Sequence, residues 1–446
     1  MDNQTSKQLE INFGFTSEDS NTDYSCYDFT PSQQRAFDMF LQGKNMFITG
    51  EGGAGKSYLT RSIIDYCKKT KKNTIICAPT GVAAQNIGGA TLHSTFRMDT
   101  KIQMPDKRCK DKAKLFVLKL ADVVIIDEIS MCRLDSFNFV CNTLRSFKKV
   151  PQVIVVGDFF QLPPILTSRN NEFEVWQSIE EYKDKLFPFE SHHWKEMDFQ
   201  TFELTEQVRQ SEADYIKCLN DIRMGVPNFS CFKQNDTLDE NAITLCTINK
   251  TANDINSNKL YDLIDGGAKH KTYESKEKGE VGEGNRQTEK ELTLCIGARV
   301  VFLVNDNTDK MYNNGEMGTV IDLKNDSVIV RSDSGHEITL SRYEWEIKKH
   351  VADYDENGNV IIGTKKIGSF EQFPVRLAWA ITVHKAQGQT YDNVNIIPDN
   401  FFAEGQMYVA LSRCRTKEGM HIVGTLVPWR LKCNQRVKDF MLNANR

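Results

Sequence analysis

Short apolar runs alternate along the chain with segments of helical texture. The runs NMFITG (45–50), TIICAP (74–79), DVVIID (122–127) and VIVVGD (153–158) are rich in β-branched residues and lack polar alternation. A strand that is apolar on both faces belongs in a parallel sheet covered by helices on each side. Helical stretches at 57–69 and 132–147 fall between these runs, the order of a doubly wound α/β unit. The pattern returns later, where AITLCT (242–247), LAWAIT (377–382), VNIIP (394–398) and MHIVG (420–424) read as buried strands and GQMYVALSR (405–413) as a helix. Between these later runs, residues 266–290 are Gly-, Lys- and Glu-rich and read as a solvated loop. GTVIDL, SVIVRSDSG and HEITL (318–340) read as short strands of a small inserted β-barrel, with Asn357-Gly358 as a hairpin turn. The expected layout is a polar tail over 1–25, a first α/β lobe over 26–198, and a second over 199–446 with its insert at about 257–370.

A chain of 446 residues with 40% apolar and 26% charged residues has material for two such cores. No run approaches the roughly 20 apolar residues that span a bilayer. The N-terminus lacks a signal-peptide pattern, so a cytoplasmic protein without membrane association is expected. The 12 cysteines include no C-x-x-C pair and read as buried thiols of a reducing compartment. A net charge of −4 gives no global attraction to nucleic acid, so any phosphate-binding surface must be local.

Candidate chemistry sits at the ends of the first strands. Residues 50–57, GEGGAGKS, form a complete G-x-x-x-x-G-K-S loop between a strand and a helix. Gly50, Gly52, Gly53, Ala54 and Gly55 let backbone N–H groups converge on phosphate. Lys56 offsets charge at the β- and γ-phosphates, Ser57 supplies a hydroxyl for Mg²⁺, and Tyr58 follows at the helix start. Asp127 and Glu128 close the strand VVIID, where Asp127 suits Mg²⁺ and Glu128 suits a base for water; alone, the pair could equally be an acidic helix cap. Gln161, in GDFFQLPPI, leaves the sheet at the same edge and either senses the γ-phosphate or is a polar loop residue. One phosphate loop for two lobes leaves the second to supply charge in trans. Arg413 and Arg209 are candidates, each of which could otherwise be a surface or salt-bridging arginine.

Nine blocks, in order, resemble superfamily I helicases of the Pif-type (petite integration frequency) group. They are FTPSQQRAF, GEGGAGKS, APTGVAAQNIGGATLHS, DEISM, GDFFQLPP, EQVRQ, the IRMG turn, LAWAITVHKAQGQT and YVALSR, spanning roughly residues 28–435. The resemblance implies two RecA-like lobes, an SH3-like β-barrel as element 2B, and a short 1B wedge at about 97–118, where seven Lys/Arg lie in RMDTKIQMPDKRCKDKAK. It implies an ATP- and Mg²⁺-dependent helicase, monomeric in solution, that moves 5′→3′ on single-stranded DNA and opens 5′-tailed duplexes and forks, with G-quadruplexes as a further substrate. Gln33 resembles the glutamine that reads adenine, and Arg209 and Arg413 become γ-phosphate contacts. Thr80, His93, Thr247, Asn249, His384 and Lys385 match single-strand contacts, although outside the family pattern the histidines would read as structural and Lys385 as a solvated charge. The segment RSFKKVPQVIVV departs from the family's Pro-Phe-Gly-Gly-like stretch. Two other readings remain: a RecD- or Dda-like motor of the same superfamily, and a nucleotide-switched DNA-binding or loader protein that does not unwind.

Overall fold

The computed structural model describes residues 27–99, 101–166, 172–208, 210, 212–235, 237–282, 286–306, 311–312, 314–354, 360–398 and 401–444. The tail over 1–25, Arg209 and the Asn357-Gly358 turn lie outside the described residues.

The first sheet is built from β1 (Met46–Gly50), β2 (Thr74–Ala78), β3 (Ala90–Thr91), β4 (Val123–Ile126), β5 (Gln152–Val156) and β6 (Gln200–Leu204). All pairings are parallel, in the order β3-β2-β4-β5-β1-β6. Successive residues of one strand face opposite cores, which is why these runs carry no polar alternation. Phe47, Val124, Ile126, Val153 and Val155 enter one core, while Met46, Ile48, Val123, Ile125 and Val156 enter the other. Each such side chain contributes roughly 1.5–3 kcal/mol on burial. Strand β6 pairs with β1 beyond residue 198, so the first sheet reaches past the expected lobe boundary.

The second lobe has β7 (Gln234–Asn235) and β8 (Ile243–Cys246), after which the helix Asn249–Asp265 leads into the insert. Residues expected as a solvated loop instead form β9 (His270–Glu274) and β10 (Lys276–Gly279). Their charged side chains face outward while the backbone finds partners, β9 in β11 (Glu291–Cys295) and β10 in the ribbon below. Five further strands, β12 (Arg299–Phe302), β13 (Met317–Leu323), β14 (Val328–Ser332), β15 (Glu337–Leu340) and, after the ribbon, β18 (Val375–Leu377), form an antiparallel sheet in the order β15-β14-β13-β12-β18. This sheet and the β9–β11 pair share one apolar core around Phe302, Val320, Val330 and Phe373. The ribbon itself is β16 (Tyr343–Tyr354) paired with β17 (Val360–Gln372). It reaches across to the first lobe, where Ile362 packs against that lobe's core and its N–H donates to Asn73 Oδ1 at 2.9 Å.

The chain then returns to the second sheet with β19 (Ala380–Thr382), β20 (Val394–Ile396) and β21 (Met420–Val423), giving the parallel order β19-β8-β20-β21-β7. The last helix, Gln435–Ala444, crosses back to the first lobe. Phe440 stacks on Phe189 with ring centroids 4.3 Å apart. Among the described residues, no helix is long and apolar enough to cross a membrane.

Candidate nucleotide cleft and DNA surface

The phosphate loop leaves β1 and enters the helix Lys56–Lys69 through Gly55, whose φ of 81° is left-handed. A side chain there would be strained, and its Cβ would meet Gln33 Nε2 at 2.3 Å. Gln33 also closes a capping box: its Oε1 accepts the Thr30 N–H at 3.0 Å, and its Nε2 donates to Gly55 O at 3.4 Å. The expected adenine-reading glutamine is thus held beside the loop by its own helix cap. Glu206 fixes that cap from the other side by accepting the Ser32 N–H at 3.1 Å. Tyr58, at the start of the next helix, is largely exposed and accepts the Asp28 N–H at 3.1 Å. Lys56 Nζ lies over its own loop, donating to Gly50 O at 2.7 Å and Glu51 O at 2.9 Å.

Asp127 and Glu128 follow β4. Glu128 has a φ of 51°, a left-handed conformation costly for a residue with a Cβ and typical of strain retained at functional sites. Burial raises the Asp127 pKa to about 7, and the neighbouring Glu128 charge adds to the effect. Burial also raises the Glu128 pKa, opposed by Lys56, Arg413 and a hydrogen bond from Gln387. Ser57 and Asp127 line one cavity. Two hard oxygen donors, one a half-buried carboxylate, fit a magnesium ion.

The second lobe closes the cleft. A cavity of about 480 Å³ is lined by Gly52, Gly53, Gly55, Lys56, Ser57, Glu128 and Gln161 from one side, and by Gly388, Thr390, Arg413 and Arg415 from the other. Arg413 is 1% exposed and is aimed by bonds from Nε to Val409 O at 2.8 Å and from Nη2 to Ser412 Oγ at 2.7 Å. A Cβ on Gly52 would lie 3.4 Å from its Nη2. Arg413 therefore faces the phosphate loop. Reading the sequence missed Arg415, Gln387 and Tyr408, whose hydroxyl accepts the Gly52 N–H at 2.9 Å. It also missed Arg223, which crosses the lobes to Asp158. Gln387 and Tyr408 lie inside the quoted blocks HKAQGQT and YVALSR, and Arg223 inside IRMG, so the blocks themselves carried the signal.

A neighbouring cavity of about 510 Å³ brings Thr80 of the first lobe together with His384 and Lys385 of the second. Thr80 caps the helix Gly81–Asn86, accepting the Ala83 N–H at 3.3 Å. His93 lines a separate cavity of about 330 Å³ with Thr80, Pro163 and Pro164. Burial lowers the pKa of both His93 and His384, which keeps the rings neutral. It also lowers the pKa of Lys385, with Arg376 adding repulsion. Thr247 follows β8 and Asn249 begins the next helix; both lie at the same sheet end as His384, since Val383 N donates to Cys246 O at 2.8 Å. Neither is among the residues lining the shared cavity.

Two parallel-sheet lobes, with a phosphate loop on one and an arginine facing it from the other, define an ATPase of the two-lobed helicase class. A model of the PIF1-like helicase family matches residues 29–229, and a UvrD-like helicase C-terminal domain matches 377–418. The ATP-dependent DNA helicase Pif1 of Campylobacter jejuni is 30% identical over 85% of this chain and 89% of its own length. The crystal structure of a Bacteroides Pif1 in complex with ADP-AlF4 superposes with a TM-score of 0.82 at 33% identity, covering 93% of this chain and 97% of that one. Bacteroides Pif1 bound to single-stranded DNA superposes at 0.65, also at 33% identity, with 93% and 96% covered. The chain belongs to the PIF1-like helicase family and is an ATP-dependent DNA helicase.

Proposed function

We propose that the chain couples Mg²⁺-dependent ATP hydrolysis between its lobes to 5′→3′ movement along single-stranded DNA, opening 5′-tailed duplexes and forks. The observation that carries this reading is the single cavity in which Lys56 and Ser57 of one lobe face Arg413 of the other. A γ-phosphate gripped from both sides favours the closed cleft, and its loss on hydrolysis removes that difference. In this mechanism Lys56 and Arg413 hold the phosphates, Gln33 the adenine, and Glu128 takes a proton from the water that Gln161 helps orient. Ser57 and Asp127 would hold Mg²⁺, which offsets phosphate charge. Arg209 is proposed to share this role with Arg413 on the family pattern. Thr80, His93, Thr247, Asn249, His384 and Lys385 take DNA by its backbone, which requires no base preference. The direction rests on the family resemblance; G-quadruplexes remain a proposed further substrate.

The test compares strand displacement on 5′-tailed and 3′-tailed duplexes, alongside Glu128→Gln. Displacement only from the 5′ tail, with ATP binding kept and turnover abolished in the variant, is the expected result. Unwinding from the 3′ tail refutes the direction, and normal DNA-stimulated hydrolysis by Glu128→Gln refutes the base.

A further inference from the structure

Gln387 stands at the meeting point of the two candidate sites. Its side chain is 8% exposed. Its Nε2 donates to Glu128 Oε2 at 3.0 Å and to Gln161 Oε1 at 3.2 Å. Two oxygen acceptors on one atom fix the amide orientation, since only the nitrogen end can donate to both. The other end, Oε1, is buried without a hydrogen-bond partner among the described residues. A buried unsatisfied acceptor costs about 1–3 kcal/mol, so the two bonds to Glu128 and Gln161 hold this conformer against a real penalty.

The position of Nε2 is chemically specific. A water attacking the γ-phosphate has to lie within hydrogen-bond reach of its base and of the group that orients it. With Glu128 and Gln161 in those roles, the point bonded to both is where that water belongs. Here an amide nitrogen occupies it, and it donates a proton to the carboxylate that hydrolysis needs as an acceptor.

Gln387 also shares a turn with His384 and Lys385. Residues 383–388 form this turn directly after β19, braced by Ala386 N to Thr382 O at 2.9 Å and Gln387 N to His384 O at 3.3 Å. All three side chains line the cavity that also contains Asp127 and Glu128. A DNA strand that grips His384 and Lys385 therefore pulls on a segment that carries, two residues after Lys385, the side chain resting on the base.

We propose that Gln387 is a latch. It occupies the position of the lytic water and engages Glu128, and it is withdrawn when DNA engages the turn through His384 and Lys385. The proposal rests on the roles given above to Glu128, His384 and Lys385, and it adds how DNA controls them. Nothing covalent is involved: one amide leaves two acceptors, and water takes its place.

The test is steady-state ATP hydrolysis by the full chain, with and without saturating oligo(dT), for wild type, Gln387→Ala and Gln387→Asn. The asparagine keeps the amide but is one methylene too short to bridge both acceptors, so it checks against a folding defect in the alanine variant. Binding of a fluorescent ADP within about twofold of wild type establishes an intact cleft in each. The expected result is a DNA-independent kcat raised about tenfold in both variants, with the stimulation ratio reduced by the same factor. A DNA-independent rate at or below wild type in both overturns the latch and leaves the motor reading standing, because that is judged on wild-type stimulation and unwinding. Should wild type hydrolyse ATP equally fast with and without DNA, the motor reading fails, and the latch fails with it.

Discussion

The ion pair between Arg223 and Asp158 joins the lobes where neither charge meets water. Arg223 ends the helix Ala213–Arg223 of the second lobe, and Asp158 follows β5 in the first. Their side chains are 6% and 0% exposed, and Nη2 lies 3.0 Å from Oδ1. The guanidinium also sits 4.5 Å from the Phe160 ring centroid and 3.5 Å from Glu203. Arg223→Met keeps most of the stem but leaves Asp158 buried and unpaired, which costs about 3–5 kcal/mol. For a unit of one lobe's size each kcal/mol is worth about 2–4 °C, so the apparent Tm should fall by about 6–20 °C. Asp158→Asn can still accept the Phe160 N–H, which reaches Oδ1 at 3.2 Å, but it strands the arginine instead. The double variant removes both charges and should recover at least about 2 kcal/mol of the summed loss. Differential scanning calorimetry on the four proteins reads the cycle. Single losses below about 1 kcal/mol, or losses that add within about 0.5 kcal/mol, refute a desolvated strut.

Further outcomes follow from the same geometry. Arg413→Ala should lower DNA-stimulated kcat by about 10³ or more, and Arg413→Lys should rescue it poorly because a point charge lacks the fork; rapid-quench hydrolysis measures both. Gly405 has a φ of 67°, and a Cβ on it would meet Gln161 O at 2.3 Å and Phe160 O at 2.5 Å. Gly405→Ala should therefore displace Gln161 and cost at least about 1 kcal/mol, seen as a lower Tm together with a lower kcat. Burial holds His193 down at about 4, with His192 and Arg145 adding repulsion. Between an unfolded value of about 6.5 and that folded value, the unfolded chain binds more protons, so stability is full above about 6.5 and falls as pH drops toward 4. Tm measured from pH 7.5 to 4.5 should show this slope reduced in His193→Gln, and an unchanged slope counts against a buried neutral ring.

The parts legible in the sequence are those set by local pattern. Both sheets showed through because a strand buried on two faces cannot alternate, and the phosphate loop because Gly55 has to take a left-handed turn against Gln33. What stayed hidden depends on partners far along the chain. The charged strands β9 and β10 carry little hydropathy signal, since their order comes from the backbones of β11 and β17. The helix Gln435–Ala444 was not singled out in the sequence, and nothing local says that Phe440 docks on Phe189 of the other lobe. Gln387 was visible as a letter in HKAQGQT; its importance lies in Glu128 and Gln161, more than 200 positions away in sequence.

The contacts between the lobes differ in kind and in what it costs to separate them. Some are costly: the Asp158–Arg223 pair, the stacked Phe189 and Phe440, and Ile362 in the first lobe's core. Separating these would expose apolar surface and strand a buried charge, at a cost of several kcal/mol. Others are slight: Tyr408 meets Gly52 and Gln387 meets Glu128 through single hydrogen bonds worth about 1 kcal/mol each. Phosphate oxygens and water can replace those bonds one for one. Opening the nucleotide cleft therefore costs least where these exchangeable bonds lie. Asp158 and Gln161 are three residues apart, so the buried ion pair also anchors the segment that carries Gln161.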